Sequence, residues 1–181
     1  AYQEKGYILA KAYIPEQEIK EGVLHVTIVE GRVGKIEVAG NKYYNSRVIK
    51  RYFQSQLREG VIRESTLERG LLLTNEIPKT DTKIVLKRGE KPGTADVVLN
   101  TTDKIPLKFS IDWNNYGAEE TGDERWGTRI EMTDPWWGNI LSLRGVTGND
   151  PDDTRLATVE LNIPVNSYGT RLLFNLSLIH I

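Results

Sequence analysis

The pattern of apolar and polar positions changes character twice along the chain. Residues 9–14 and 24–29 are short alternating runs, separated by Pro15-Glu16-Gln17-Glu18 and Glu21-Gly22 and closed by Glu30-Gly31. That order predicts one β-hairpin. The piece before it, residues 2–7, reads as the frayed end of a helix with Gly6 suited to its C-terminus. Two strands alone are marginal in water, so this hairpin is expected to need sequence upstream to complete a core.

Residues 33–102 predict strand, helix, helix, strand, strand. Lys35-Ile36-Glu37-Val38-Ala39 alternates and stops at Gly40-Asn41. A helix starting at Asn45 or Ser46 would carry Val48, Ile49, Tyr52, Phe53 and Leu57 as one stripe, with Arg47, Lys50 and Arg51 on the other side. Ser65-Thr66-Leu67-Glu68 has capping-box spacing and predicts a second helix from Ser65, burying Leu67 and Leu71 with Leu72 beside them and ending before Pro78. Residues 82–87 and 94–100 form a hairpin about Gly89-Glu90-Lys91-Pro92-Gly93. The unit predicted is α+β, two helices on one face of a three-stranded sheet.

After Ile105 the helical period disappears. Leu107, Phe109, Ile111 and Trp113 alternate with Lys108, Ser110, Asp112 and Asn114; similar alternation recurs over 126–132, 141–144 and 157–163 and begins again at Thr170. Connections around 116–124 and 148–153 are longer, Gly-rich and acidic, whereas Asp134-Pro135-Trp136-Trp137-Gly138 and Pro164-Val165-Asn166-Ser167-Tyr168-Gly169 are tight and aromatic. Outer-membrane barrels have this asymmetry. A soluble antiparallel sandwich also alternates and has uneven loops, so the pattern leaves both open.

Composition narrows the function. With Lys+Arg 24 against Asp+Glu 25, the net charge of −1 lacks the basic excess of a nucleic-acid binder. No run reaches the roughly 18 apolar residues of a membrane-spanning helix, which leaves a β-barrel open. Cysteine is absent, so there is no disulfide framework, thiolate metal site or cysteine nucleophile. The first residues lack Met, a basic n-region and an apolar h-region, and the strand pattern runs almost to the last residue; the chain reads as a fragment. The closing Ser177-Leu178-Ile179-His180-Ile181 resembles a translated adapter tail and is given no functional weight.

Several motifs stand in a fixed order: Tyr2-Gln3-Glu4-Lys5-Gly6-Tyr7, Ile14-Pro15-Glu16-Gln17, Gly22-Val23-Leu24-His25-Val26-Thr27-Ile28-Val29-Glu30-Gly31 and Ile36-Glu37-Val38-Ala39-Gly40, followed by Asp112-Trp113-Asn114-Asn115-Tyr116-Gly117, Thr121-Gly122, Arg129 and Asp134-Pro135-Trp136-Trp137-Gly138-Asn139-Ile140-Leu141-Ser142-Leu143. Together they are similar to the ShlB/FhaC/HecB family, the outer-membrane transporters of two-partner secretion within the Omp85 superfamily. Their order resembles the end of a first polypeptide-transport-associated (POTRA) domain over 1–31, a complete β-α-α-β-β second one over 32–103, and the first antiparallel strands of an outer-membrane barrel over 104–181. The resemblance implies a transporter in the outer membrane. Its POTRA domains would capture an unfolded secreted partner, of haemolysin or adhesin type, in the periplasm, and its barrel would pass that partner outward. The family's lid loop of the Val-Arg-Gly-Tyr type and its plug helix are expected outside these residues. Alternatives are an Omp85-type assembly factor for other barrels and a soluble periplasmic binding module with a β-sandwich domain.

Capture of a polypeptide needs no catalyst, because an extended chain can add to an exposed sheet edge. The candidate edge is 82–87, with Ile84 and Leu86 toward the helices and Lys83, Val85 and Lys87 outward; lysine there also discourages aggregation. Arg47, Lys50 and Arg51, with Arg58, form a candidate client-facing helix surface or simply a solvated one. Lys108, Asp112, Arg129, Glu131, Arg144, Glu160 and Arg171 fall on the polar face of the later strands, where a wet lumen would spare them dry burial, and mutual salt bridging is the simpler expectation for them. Trp126, Trp136, Trp137 and Tyr168 would be membrane-interface anchors or core. No enzyme or cofactor is expected. Glu119-Glu120 and Asp150, Asp152 and Asp153 lie in polar loops without a tuning pocket or EF-hand spacing, and His25 reads as a structural side chain in a strand. No Ser-His-Asp order or nucleotide fingerprint is present.

Overall fold

Val48, Ile49, Tyr52, Phe53 and Leu57 recur at helical spacing, and all five are buried along helix α1 (Ser46–Gln56) and just past its end. The computed structural model describes residues 2–18, 22–58, 60–116, 124–149 and 155–180. The chain divides into two units, Ala1–Lys42 with Ile49–Asp103, and Tyr43–Val48 with Lys104–Ile181.

The first unit opens with a 3-10 turn (Gln3–Lys5), a tighter coil than the expected helix end. Gly6 terminates it at φ 81°, its N–H donating to the Gln3 carbonyl at 2.9 Å. The predicted hairpin is present but short, β1 (Lys11–Tyr13) antiparallel to β2 (Thr27–Val29). His25 lies before β2 rather than in a strand. Its backbone N–H and carbonyl are both engaged by the carboxamide of Gln17, at 2.9 and 2.8 Å.

Next come β3 (Arg32–Ala39), α1, α2 (Glu64–Asn75), β4 (Thr80–Arg88) and β5 (Thr94–Asp103), with sheet order β3-β5-β4. The two helices supply the long crossover that lets β3 run parallel to β5, and the tight β4–β5 connection makes that pair antiparallel. Val97 and Leu99 of the central strand are fully buried together with Ile49, Phe53 and Ile62. The helices approach closely at Gly70, where a Cβ would lie 2.8 Å from the Phe53 ring.

Central-strand carboxylates brace β3 at both ends. Asp96 accepts from the Lys35 N–H at 2.7 Å, where the register slips between Val33 and Ile36, and Asp103 accepts from the Lys42 N–H at 2.8 Å. On the surface Lys35 pairs with Glu90, whose hydrogen bond and charge hold the lysine ammonium above its usual pKa.

The second helix departs from its predicted start. Its N-cap is Arg63, and the third helical residue, Thr66, supplies the reciprocal cap, accepting from the Arg63 N–H at 3.3 Å and donating to the Arg63 carbonyl at 2.7 Å. The Glu64 N–H is satisfied by the distant Gly6 carbonyl at 2.9 Å, so the helix begins before Ser65 and the Ser65–Glu68 box is not used. Leu67, Gly70 and Thr74 form its buried side; Leu72 points away and is 69% exposed.

The second unit is a meander of β6 (Leu107–Asn114), β7 (Arg125–Thr133), β8 (Ile140–Gly148), β9 (Arg155–Pro164) and β10 (Arg171–His180), each antiparallel to its sequence neighbour. Tyr43–Val48 clusters with it, the Asn45 N–H donating to the Pro135 carbonyl at 3.0 Å. The two aromatic connections are tight, closed by Asp134 N–H to the Asn139 carbonyl at 2.7 Å and Val165 N–H to the Thr170 carbonyl at 2.9 Å. Ser177 to His180 continue β10 in register opposite Thr158 to Arg155. Among the described residues no helix is long and apolar enough to cross a membrane, a statement that does not bear on strands.

Candidate functional site

Two surfaces bring the predicted residues together. The first is the outer edge of β4, which pairs only with β5 within its sheet. Thr82 is buried, Ile84 and Leu86 are half-buried, and Lys83, Val85 and Lys87 are exposed, as the alternation predicts. The helix residues behave less uniformly. Arg47 is exposed, but Lys50 is half-buried and Arg51 lies back over the Tyr52 ring, 5.2 Å from its centroid. The three therefore do not form one solvated basic strip.

The second surface is the five-stranded sheet, whose register sorts side chains into rows. Phe109, Ile130, Leu143, Val159 and Leu176 stand side by side on one face, flanked by a row of Leu107, Met132, Leu141, Leu161 and Phe174. This apolar face is uncovered: Phe109 is 61% and Leu176 74% exposed. On the opposite face Arg129 and Arg144 stand opposed in one row, and Lys108, Glu131 and Glu160 share the next. Asp112 stands opposite Gly127, its carboxylate lying where a Cβ on that glycine would go, and Arg171 reaches Asn162 at 3.4 Å. All seven predicted polar-face residues thus share one face.

The expectation of mutual salt bridging is corrected. Among the described residues, none of Lys108, Asp112, Arg129, Glu131, Arg144, Glu160 and Arg171 forms an ion pair within 4.0 Å with another: Arg129 faces Arg144, a like charge, and Lys108 stands opposite Glu131 without closing to that distance.

The aromatics divide between the two ends of the sheet. Trp136, Trp137 and Tyr168 occupy the tight connections and are about half exposed or more. Trp126 lies at the other end, directly opposite Trp113, with its indole N–H donating to Asn149 at 3.1 Å. Trp113 belongs with the end aromatics, although its alternation alone marks it only as an apolar-face residue; pairing it with Trp126 requires the register. The acidic pairs Glu119-Glu120 and Asp150 to Asp153 lie outside the described residues. Among the described residues no cluster of three potential metal-ligating side chains occurs.

Comparison with known proteins bears on this geometry. The ShlB-type POTRA domain family matches residues 1–31. Over 173 residues, 94% of this chain and 30% of the relative, the sequence is 25% identical to the heme/hemopexin transporter protein HuxB of Haemophilus influenzae. It is 28% identical over 136 residues, 75% of this chain and 23% of the relative, to the outer membrane transporter CdiB of Escherichia coli. Over most of its length the chain is similar to these two transporters. It spans less than a third of the length of these curated relatives, whose names are those of transporters rather than enzymes.

Among solved structures, CdiB from Escherichia coli superposes with TM-score 0.82 at 23% identity, covering 97% of this chain and 33% of that one. BamA from Haemophilus ducreyi lacking POTRA domains 1–3 matches with TM-score 0.62 at 16% identity, covering 96% and 33%. The fold is therefore POTRA structure followed by strands of an outer-membrane β-barrel, and the soluble-sandwich alternative is set aside.

Proposed function

We propose that this chain is the capture end and first wall of an outer-membrane transporter for an unfolded secreted protein of haemolysin or adhesin type. The POTRA unit, residues 32–103 with the end of a preceding one over 1–31, stands in the periplasm and offers the β4 edge, with Lys83, Val85 and Lys87 selecting among extended segments. Arg47 and Lys50 on α1 offer further positive charge to a client. Residues 104–181 form barrel strands with the uncovered apolar face toward lipid and Asp112, Arg129, Glu131, Arg144, Glu160 and Arg171 toward a wet lumen. Trp126, Trp136, Trp137 and Tyr168 sit at the two membrane boundaries.

The observation that carries this reading is the two-faced meander joined in one chain to a sheet with an unpaired edge. A soluble protein would cover the row from Phe109 to Leu176, and a lipid-facing wall has no need to. The test is secretion. Deleting the full gene should leave the exoprotein encoded beside it inside the cell, with membrane recovery of the transporter dependent on detergent. General loss of other outer-membrane barrels would instead assign an assembly role, and recovery of the transporter in the detergent-free periplasm would overturn the reading.

A further inference from the structure

The β4 edge is not open along its whole length. In an antiparallel pair, alternate residues direct both backbone polar groups toward the partner strand and the intervening residues direct theirs outward. One contact fixes which are which. The Gly89 N–H donates to the Thr94 carbonyl at 3.0 Å, so that pair faces inward, and residues an odd number of steps back, Arg88, Leu86, Ile84 and Thr82, face outward.

At Thr82 both outward groups are already taken by one side chain. The Asn75 carboxamide accepts from the Thr82 N–H at 2.8 Å and donates to the Thr82 carbonyl at 3.2 Å, the pair of bonds an added strand residue would make. Gln17 treats His25 the same way. One step further, the Thr80 N–H goes to the Ile77 carbonyl at 3.4 Å. Beyond Thr82, the outward groups of Ile84, Leu86 and Arg88 meet no partner among the described residues.

We infer that Asn75 is a register stop: it occupies the place of a client residue at Thr82 and confines strand addition to Ile84–Arg88. The inference rests on the proposed use of the β4 edge in capture. An admitted segment bonds across Ile84–Arg88 and reaches opposite Lys83, about six residues or roughly 20 Å, and its outer-face residues oppose Lys83, Val85 and Lys87, which favours acidic side chains opposite the two lysines. Leu72, one turn before Asn75 on the same side of α2 and exposed, offers apolar contact on the helix side.

The probe is the peptide Thr-Thr-Glu-Ile-Thr-Val-Glu-Thr-Thr, added to the full-length transporter in detergent micelles and read by residue-resolved hydrogen exchange and fluorescence anisotropy. In the wild type the amides of Ile84, Leu86 and Arg88 slow on binding while Thr82, already bonded, does not change, and the six-residue core Thr-Glu-Ile-Thr-Val-Glu, run antiparallel from Arg88 to Lys83, binds as tightly as the longer peptide. In Asn75→Ala the Thr82 amide exchanges fast when free, slows with the nonapeptide, and the two added bonds tighten it about fivefold or more. Asn75→Asp keeps the acceptor for the Thr82 N–H and keeps the footprint ending at Ile84. Protection of Ile84, Leu86 and Arg88 with Thr82 unresponsive in Asn75→Ala, or a wild type that clearly prefers the nonapeptide, overturns the register stop and leaves the edge reading standing. No protection at Ile84, Leu86 or Arg88 in the wild type removes the edge reading and the stop with it.

Discussion

Leu143→Arg is the sharpest probe of the five-stranded wall. Leu143 lies on the central strand, between Ile130 and Val159, in the third of five apolar-face rows that run from Ile163 and Leu172 to Trp113 and Trp126. Those rows are four steps of two residues apart, about 27 Å along strands rising ~3.4 Å per residue. A tilt of about 40° reduces that to a height of roughly 21 Å, close to the ~25 Å apolar band of a membrane barrel. Leu143 is then near the bilayer midplane, where arginine costs about 2–4 kcal/mol, or a roughly 30- to 700-fold loss in the folding equilibrium. Ser142 points to the opposite face, and Ser142→Arg should change stability by less than about 0.5 kcal/mol. Both variants of the full-length protein would be refolded from guanidinium into phospholipid vesicles and the folded fraction read by heat-modifiable gel mobility. If Leu143→Arg folds like the wild type, or if Ser142→Arg suffers as much, the assignment of lipid and lumen faces is wrong.

Other expectations follow from the same contacts. Phe53→Ala, emptying a fully buried ring site beside Gly70, should destabilise the POTRA unit by about 3–5 kcal/mol in denaturant melts. Gly40→Ala should cost about 1–3 kcal/mol in the same assay, because Gly40 sits at φ 87° with a would-be Cβ 2.8 Å from the Thr101 carbonyl oxygen, which as backbone cannot swing aside. Reversing Lys83 and Lys87 to glutamate should leave the melt within about 0.5 kcal/mol of wild type while weakening the acidic peptide; equal binding would show that edge charge has no part in selection. Removing Trp136 and Trp137 should reduce quenching of protein fluorescence by lipids brominated near the headgroup, and unchanged quenching would place those indoles away from the boundary.

Local periodicity made much of this legible. The stripe from Val48 to Leu57 and the alternation of β4, β6, β7 and β9 depend on side-chain spacing alone, and the elements formed where that spacing placed them. What depended on distant partners was not legible. The start of α2 is set by a carbonyl at Gly6, some sixty residues upstream; the parallel pairing of β3 with β5 follows from the crossover rather than from either strand's pattern; and Arg51 looks solvated by spacing but finds a Tyr52 ring to cover. The candidate edge could be named from Lys83, Val85 and Lys87, whereas its length is decided by Asn75, an ordinary helix-end residue until its bonds to Thr82 are seen. Register bears on the remaining surprise: the polar-face charges are expected from sequence to pair with one another, yet Arg129 meets Arg144 across the strands.

That facing pair of guanidinium groups bears on traffic. Sign changes along the central strands, from the arginine rung to the rung of Glu131 and Glu160 about 7 Å away, where Lys108 stands opposite Glu131. If this face lines the proposed lumen, a charged polypeptide sliding past would exchange attraction for repulsion at each such step whatever the sign of its charge. Neither an acidic nor a basic stretch would find a deep resting place there, and the resistance met by one would be roughly repaid at the next rung.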